Sequence, residues 1–114
     1  MRYLLQIYSD GAMAEFDRLP PGERKSIVQE YFAIQRSPGV VGGAQLQPAD
    51  TATTVRVQGE QMLLSDGPFV DAKEHLGGFY VVEADGLDEA LEIAARIPAA
   101  RMGGAIEVRP LVEG

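Results

Sequence analysis

The sequence predicts a single α+β domain built from two β-α-β halves with a β-hairpin between them. Three patterns carry that reading: mainly apolar runs at 2–8 and 77–84, apolar residues at helical spacing from Ile27 to Ile34 and from Leu87 to Ile97, and alternation on either side of Gly59-Glu60. A chain of 114 residues suits one core and has no room for a second domain.

Residues 2–8 are apolar or aromatic on both faces, the pattern of a strand covered on both sides. The stretch from Ser9 to Leu19 reads as a polar connection. Pro20-Pro21-Gly22-Glu23 then opens a helix, with proline in the first turn and an acid facing the positive helix end. Ile27, Val28, Tyr31, Phe32 and Ile34 follow at helical spacing. The helix ends by Ser37-Pro38-Gly39, because proline disfavours a helical conformation in the residue before it.

Val40 to Gln47 reads as a second strand, entered through glycines and closed by Pro48. Thr53, Val55 and Val57 alternate with Thr54, Arg56 and Gln58; Gly59-Glu60 supplies a two-residue turn, and Met62-Leu63-Leu64 runs back, so this hairpin has one wet face. Gly77 to Ala84 is the strongest strand, continuous, aromatic and β-branched, and belongs in the centre of a sheet. A second helix spans Leu87 to Ile97, with Leu87, Ala90, Leu91, Ala94 and Ile97 on one stripe and Pro98 ending it. Glu89 supplies half of a capping box, since Gly86 has no side-chain oxygen. Ile106 to Leu111 forms the last strand.

Without the hairpin the order is β-α-β, β-α-β, the split arrangement of the ferredoxin-like fold. Gly42-Gly43-Ala44 and Gly103-Gly104-Ala105 sit at equivalent places in the two halves. Helices on one face of a four-stranded sheet leave the other bare. Apolar residues on both sides of the first and third strands imply that something covers it, and a second copy of the chain is the simplest candidate.

Hydrophobic residues at 46% and charged residues at 24% are the mix of a packed protein rather than a disordered one. The net charge of -7, with no basic cluster to offset it, argues against direct nucleic-acid binding. No cysteine is present, which excludes disulfides, thiolate zinc sites and thiol nucleophiles. The N-terminal apolar run is too short for a signal peptide and no apolar run is long enough to span a membrane, so a cytoplasmic protein is expected.

The most distinctive local feature is Asp66-Gly67-Pro68-Phe69. A turn aspartate ordinarily accepts the N–H two residues on, but here that residue is Pro68, which has none. The Asp66 carboxylate therefore needs another partner: nearby backbone, a neighbouring loop, or a ligand.

The block from Ser65 to Tyr80, SDGPFVDAKEHLGGFY, resembles the signature of the DGPF-domain proteins, a branch of the YCII-related superfamily. Further matches are Met1-Arg2-Tyr3-Leu4-Leu5, Thr53-Thr54-Val55-Arg56, Leu87-Asp88-Glu89-Ala90-Leu91, Pro98-Ala99-Ala100-Arg101 and Glu107-Val108-Arg109-Pro110, so the resemblance covers essentially the whole chain. It implies a ferredoxin-like protomer that pairs into a dimeric α+β barrel. YCII-like relatives include proteins with a His–Asp catalytic pair and a dehydrochlorinase acting on an aromatic ring. The family histidine lies in the first helix, and the aspartate directly precedes a proline after the second. This chain has no histidine in its first helix, and Ile97 precedes Pro98, so that pair does not carry over.

His75, the only histidine, stands where the family usually has glutamine. Histidine exchanges its proton near neutral pH, and against Asp66 or Asp71 it would form an acid–base pair; the plain alternative is an exposed loop residue. His75, Asp66, Asp71 and Glu74 are metal-ligand types, but no spacing fixes a geometry, and neither metal nor cofactor is expected. Lys73 and Glu74 read either as a solvated charged pair or as part of a cleft in which Lys73 beside Asp66 holds an anionic group. Gly77-Gly78 reads first as easing entry to a packed strand and second as backbone N–H groups facing an anion, and Tyr8, Phe79 and Tyr80 read as sheet-face packing and only secondarily as pocket lining.

Two function classes fit. One is a non-enzymatic homodimer that binds a small molecule in a cleft formed by Asp66, Phe69, Lys73 and Glu74; genes of DGPF-like proteins accompany those of extracytoplasmic-function sigma factors, so the resemblance implies an accessory role in sigma-factor-linked regulation. The other is a cofactor-independent enzyme, lyase- or dehydrochlorinase-like, acting on a small aromatic or anionic substrate with Asp66 or His75 as the acid–base group. The second needs a cavity adjoining one of those side chains. No glycine pattern for nucleotide binding follows the first strand, so a dehydrogenase is not a serious competitor.

Overall fold

A computed structural model of the chain, describing residues 1–70 and 74–113, runs in the order β1 (Arg2–Tyr8), α1 (Asp10–Asp17), α2 (Pro21–Gln35), β2 (Val40–Gln45), β3 (Thr53–Gln58), β4 (Gln61–Asp66), β5 (Leu76–Glu83), α3 (Leu87–Arg96) and β6 (Ala105–Pro110). Short 3₁₀ turns occupy Ala49–Thr51 and Pro98–Arg101. The four-stranded sheet has the order β2-β5-β1-β6, with every neighbouring pair antiparallel, which is the ferredoxin-like arrangement expected from the two β-α-β halves. As their apolar composition required, β1 and β5 take the two central places.

Alternation along these strands sets the core. Leu5 pairs with Tyr80 on one side and Val108 on the other, and Tyr3, Leu5, Ile7, Tyr80 and Val82 turn their side chains to one face. There they meet Ile34 of α2, Ala90, Ile93 and Ala94 of α3, and Ile97. Leu5, Val82 and Ile97 are fully enclosed, and each such side chain contributes about 1.5–3 kcal/mol. The residues between them, Leu4, Gln6, Tyr8, Phe79 and Val81, face the other way and are only half-buried.

The segment from Ser9 to Leu19 differs from expectation: it holds helix α1 rather than a polar connection. Ala12 and Phe16 lie one turn apart and pack on the core, so the apolar stripe is real but only two residues deep. Glu89 accepts the Asp85 N–H at 3.2 Å, one residue before the Gly86 N-cap, so its carboxylate reaches past the N–H that a capping box would engage.

The paired glycines have a physical reason. A Cβ on Gly43, where φ is +154°, would stand 2.5 Å from the Phe79 carbonyl oxygen, and one on Gly104 would overlap the Tyr8 carbonyl. Both strands therefore enter the sheet against a neighbour's backbone that no side chain would permit.

Among the described residues β3 and β4 pair only with each other, Val55 facing Leu64 and Val57 facing Met62. These four side chains share the apolar face of the hairpin and are 56–70% exposed. A radius of gyration of 16.0 Å, against about 13 Å expected for a chain of this length, reflects the projecting hairpin. Among the described residues no helix is long and apolar enough to cross a membrane.

Candidate functional site

β1 ends at Tyr8 and α1 begins at Asp10, so the chain turns from strand to helix within two residues. Leu76, the first residue of β5, pairs with Tyr8. Sheet pairing thus delivers Glu74 and His75 to the start of α1.

One oxygen of Asp10, Oδ2, accepts the His75 backbone N–H at 3.1 Å and lies 2.7 Å from the ring Nδ1. In the tautomer with its proton on Nδ1, the ring donates to Asp10 and leaves Nε2 with a free lone pair. Both Glu74 carboxylate oxygens accept the Gly11 N–H, at 3.1 and 3.2 Å. Ser9, at the N-cap position, makes no side-chain cap bond, so a carboxylate from a distant segment satisfies the positive end of α1.

His75 and Glu74 line a groove of about 540 Å³ whose other walls include Tyr8, Pro48, Thr51 and Phe69. The Tyr8 hydroxyl donates to Glu107 Oε2 at 3.1 Å. Partial burial and the Glu107 carboxylate push the Tyr8 phenol above its ordinary range, so it serves the groove as a neutral group.

Phe69, Glu74 and His75 all line this groove; the observed partner of His75 is Asp10, a residue within the segment read as a connection, where the sequence pointed to Asp66 or Asp71. The signal available was Ser9-Asp10 ahead of Ala12 and Phe16 at i, i+4 spacing. Tyr8 lines the groove as well as packing on the sheet. Asp66 stands apart, as the last residue of β4 opposite Thr53; it is exposed, and its carboxylate has no hydrogen-bond partner among the described residues. The turn after it is strapped to the hairpin base: Gly67 N–H donates to the Ala52 carbonyl at 2.7 Å and Thr54 Oγ1 to the Gly67 carbonyl at 2.7 Å. The Arg56 guanidinium lies 5.6 Å from the centroid of Phe69. Lys73 and Asp71 lie outside the described residues. Among the described residues, no three His, Asp or Glu side chains gather closely enough to hold a metal ion.

The model of the YCII-related domain matches residues 1–113. The chain belongs to the YCII-related family. An uncharacterised protein of Rhizobium meliloti (strain 1021) is 34% identical over 97% of this chain and 92% of its own length. An uncharacterised protein of Bacillus subtilis (strain 168) is 48% identical over 42% of the chain and 53% of its own length. Among solved structures, the 5-chloro-2-hydroxyhydroquinone dehydrochlorinase of Burkholderia phenoliruptrix AC1100, in complex with 2,5-dihydroxybenzoquinone, is similar with a TM-score of 0.52 and 16% identity, over 100% of this chain and 96% of that one. At that identity the likeness is one of fold. This YCII-related protein shares the neighbour's α+β architecture with antiparallel sheet.

Proposed function

We propose that the groove at the β1–α1 corner is the active site of a cofactor-independent enzyme that moves a proton on a small aromatic substrate. His75 is its acid–base group and Asp10 the carboxylate that positions it. The observation that carries this reading is the 2.7 Å contact between Asp10 Oδ2 and His75 Nδ1 on the wall of a groove of useful size. A carboxylate on Nδ1 orients the ring, favours one tautomer and supports the imidazolium formed when Nε2 takes a proton. A passive binding cleft has no need of that pairing. The acid–base role is assigned in this proposal to His75 rather than Asp66, because His75 lines the groove and Asp66 does not.

The fold likeness to a dehydrochlorinase suggests the first substrates to test, halogenated hydroxybenzenes. In such a step His75 moves a proton from one ring hydroxyl to the halogen-bearing ring carbon, giving the keto tautomer, then takes the proton of a second hydroxyl as its electron pair closes the other quinone carbonyl and halide leaves with the electrons of the carbon–halogen bond. The net change is loss of HX, with no oxidant or reductant consumed. Chloride release from a panel of chlorinated hydroquinones tests it: wild-type protein turns over at least one member, and His75→Gln loses about 10²–10⁴-fold in kcat/KM. Release by the variant at the wild-type rate, or by neither protein, overturns the reading.

The protomer is further proposed to act as a homodimer, supported by the exposed apolar face of the hairpin and by the half-buried apolar residues on the second face of the sheet. Within the YCII-related family, the Ser65–Tyr80 block supports placement in the DGPF branch.

A further inference from the structure

Behind the same strand-to-helix corner lies a second cavity, of about 280 Å³, between α1, α2 and the sheet. Tyr31, Gln35 and Tyr80 supply polar groups on its walls, Phe16 and Ile27 its apolar surface, and the buried Met102 part of its lining. His75, Asp10 and Glu74 are not part of it, so it is separate from the groove. In a chain with 17 acidic and 10 basic residues, not one ionisable acid or base of the Asp, Glu, Lys, Arg or His type lines this cavity among the described residues.

We propose that this cavity is a second binding site, for a neutral single-ring aromatic molecule carrying a hydroxyl or carbonyl group. The proposal goes beyond the acid–base reading of the groove and does not depend on it. Size sets the first limit. A dry cavity of about 150 Å³ admits benzene, and drug-sized ligands occupy about 300–1,000 Å³, so this one fits a ring with small substituents.

Charge sets the second limit. An anion or cation entering a cavity without a counter-charge loses its hydration with nothing to replace it. Burial also holds Tyr31 and Tyr80 as neutral phenols, their pKa values pushed above the ordinary tyrosine range. Neutral phenols and the Gln35 amide donate and accept, which matches a hydroxyl or carbonyl on the guest. The rim supplies access: Met13, Val28 and Phe32 line the cavity yet are 49%, 41% and 48% exposed, so an apolar mouth opens between the two helices.

Titration of the full chain near neutral pH with phenol, catechol and benzoate, followed by amide chemical shifts, tests this directly. Phenol or catechol should bind saturably, with shifts centred on Tyr31, Gln35 and Tyr80, and benzoate about tenfold or more weaker. Tyr80→Phe should weaken catechol several-fold while the domain stays folded, and Val28→Trp should close the mouth and abolish binding. His75→Gln should leave the affinity unchanged, whether or not it alters turnover at the groove. Equal binding of benzoate and phenol overturns the proposal. So does loss of binding in His75→Gln with retention in Val28→Trp, which places the guest in the groove. Saturable binding of none of the three at millimolar concentration also overturns it, as does a Val28→Trp chain whose only change is its oligomeric state, which makes the mouth a protein contact.

Discussion

Asp10 and His75 are 65 positions apart, and a single oxygen of Asp10 takes both the backbone N–H and the ring Nδ1 of His75. Both side chains are partly exposed, at 48% and 31%, so the pair adds little to folding, about 0–1 kcal/mol. Its contribution to orienting the ring is a separate quantity. Asp10→Asn should therefore change the unfolding free energy by less than about 1 kcal/mol while lowering turnover of any substrate of the groove by about tenfold or more. Parallel denaturant titration and rate measurements decide the matter. A loss of stability that accounts for the whole loss of rate would show the pair to be structural only.

Glu74 offers a contrast within the same corner. Its carboxylate satisfies the N–H of Gly11, in the first turn of α1, where the helix end is positive and Ser9 supplies no cap. Glu74→Ala should cost about 0.5–2 kcal/mol, the ordinary worth of an N-cap, and Glu74→Gln, which keeps an acceptor, appreciably less. Urea unfolding of the two variants provides the comparison. Equal losses for alanine and glutamine would mean that charge, rather than hydrogen bonding, holds the contact.

The difference between these two residues explains what the sequence could and could not show. The central strands, the main helices and the mixed α+β class follow from periods of two and 3.6 residues, which are local properties of β1, β5, α2 and α3. The meeting of Glu74 and His75 with α1 is not local. It depends on Leu76 pairing with Tyr8, a register set by the whole sheet, and on a short helix whose apolar stripe is two residues deep. The Asp66-Gly67-Pro68-Phe69 turn drew attention because its chemistry is unusual. Its glycine and aromatic ring make fixed contacts with β3, whereas Asp66 itself reaches no described partner.

Gly104 tests the close approach of backbones at the entry to β6. A methyl group there would overlap the Tyr8 carbonyl and stand 2.9 Å from that of Ala99, neither of which is a movable side-chain end. Gly104→Ala should destabilise the domain by about 1–3 kcal/mol, in the range of overpacking substitutions. Gly22→Ala should be neutral or slightly stabilising, since nothing lies within 4 Å of its added methyl and alanine favours a helix. Thermal unfolding of both variants measures the contrast, and equal melting temperatures would refute the steric account.

Burial raises the phenol pKa values of Tyr31 and Tyr80 above the ordinary 10.0. A group whose folded pKa is raised contributes its full stability below the unfolded value and loses it as pH climbs through the folded one. Stability should thus hold up to about pH 10 and decline above it, as the unfolded chain gives up its phenolic protons first. Tyr31→Phe and Tyr80→Phe should each flatten that alkaline decline. Unfolding free energies measured from about pH 8 to pH 11 provide the test, and an unchanged slope in both variants would place the ionising groups elsewhere.

The hairpin gives the sharpest test of assembly. Val55, Val57, Met62 and Leu64 share one face and are 56%, 70%, 65% and 60% exposed, so the protomer leaves a contiguous apolar surface in water. Burying a side chain of this type contributes about 1.5–3 kcal/mol. Removing two of them from a symmetric contact counts twice, once in each copy. The double variant Val57→Asp with Leu64→Asp should therefore weaken self-association by at least about 100-fold, as read by sedimentation equilibrium across a dilution series. Because these positions touch no core residue of their own protomer, the monomer should keep its helical circular-dichroism signal. A wild-type chain that sediments as a monomer at all concentrations would end the dimer proposal. A double variant that associates as tightly as wild type would instead move the interface to the half-buried face of the sheet.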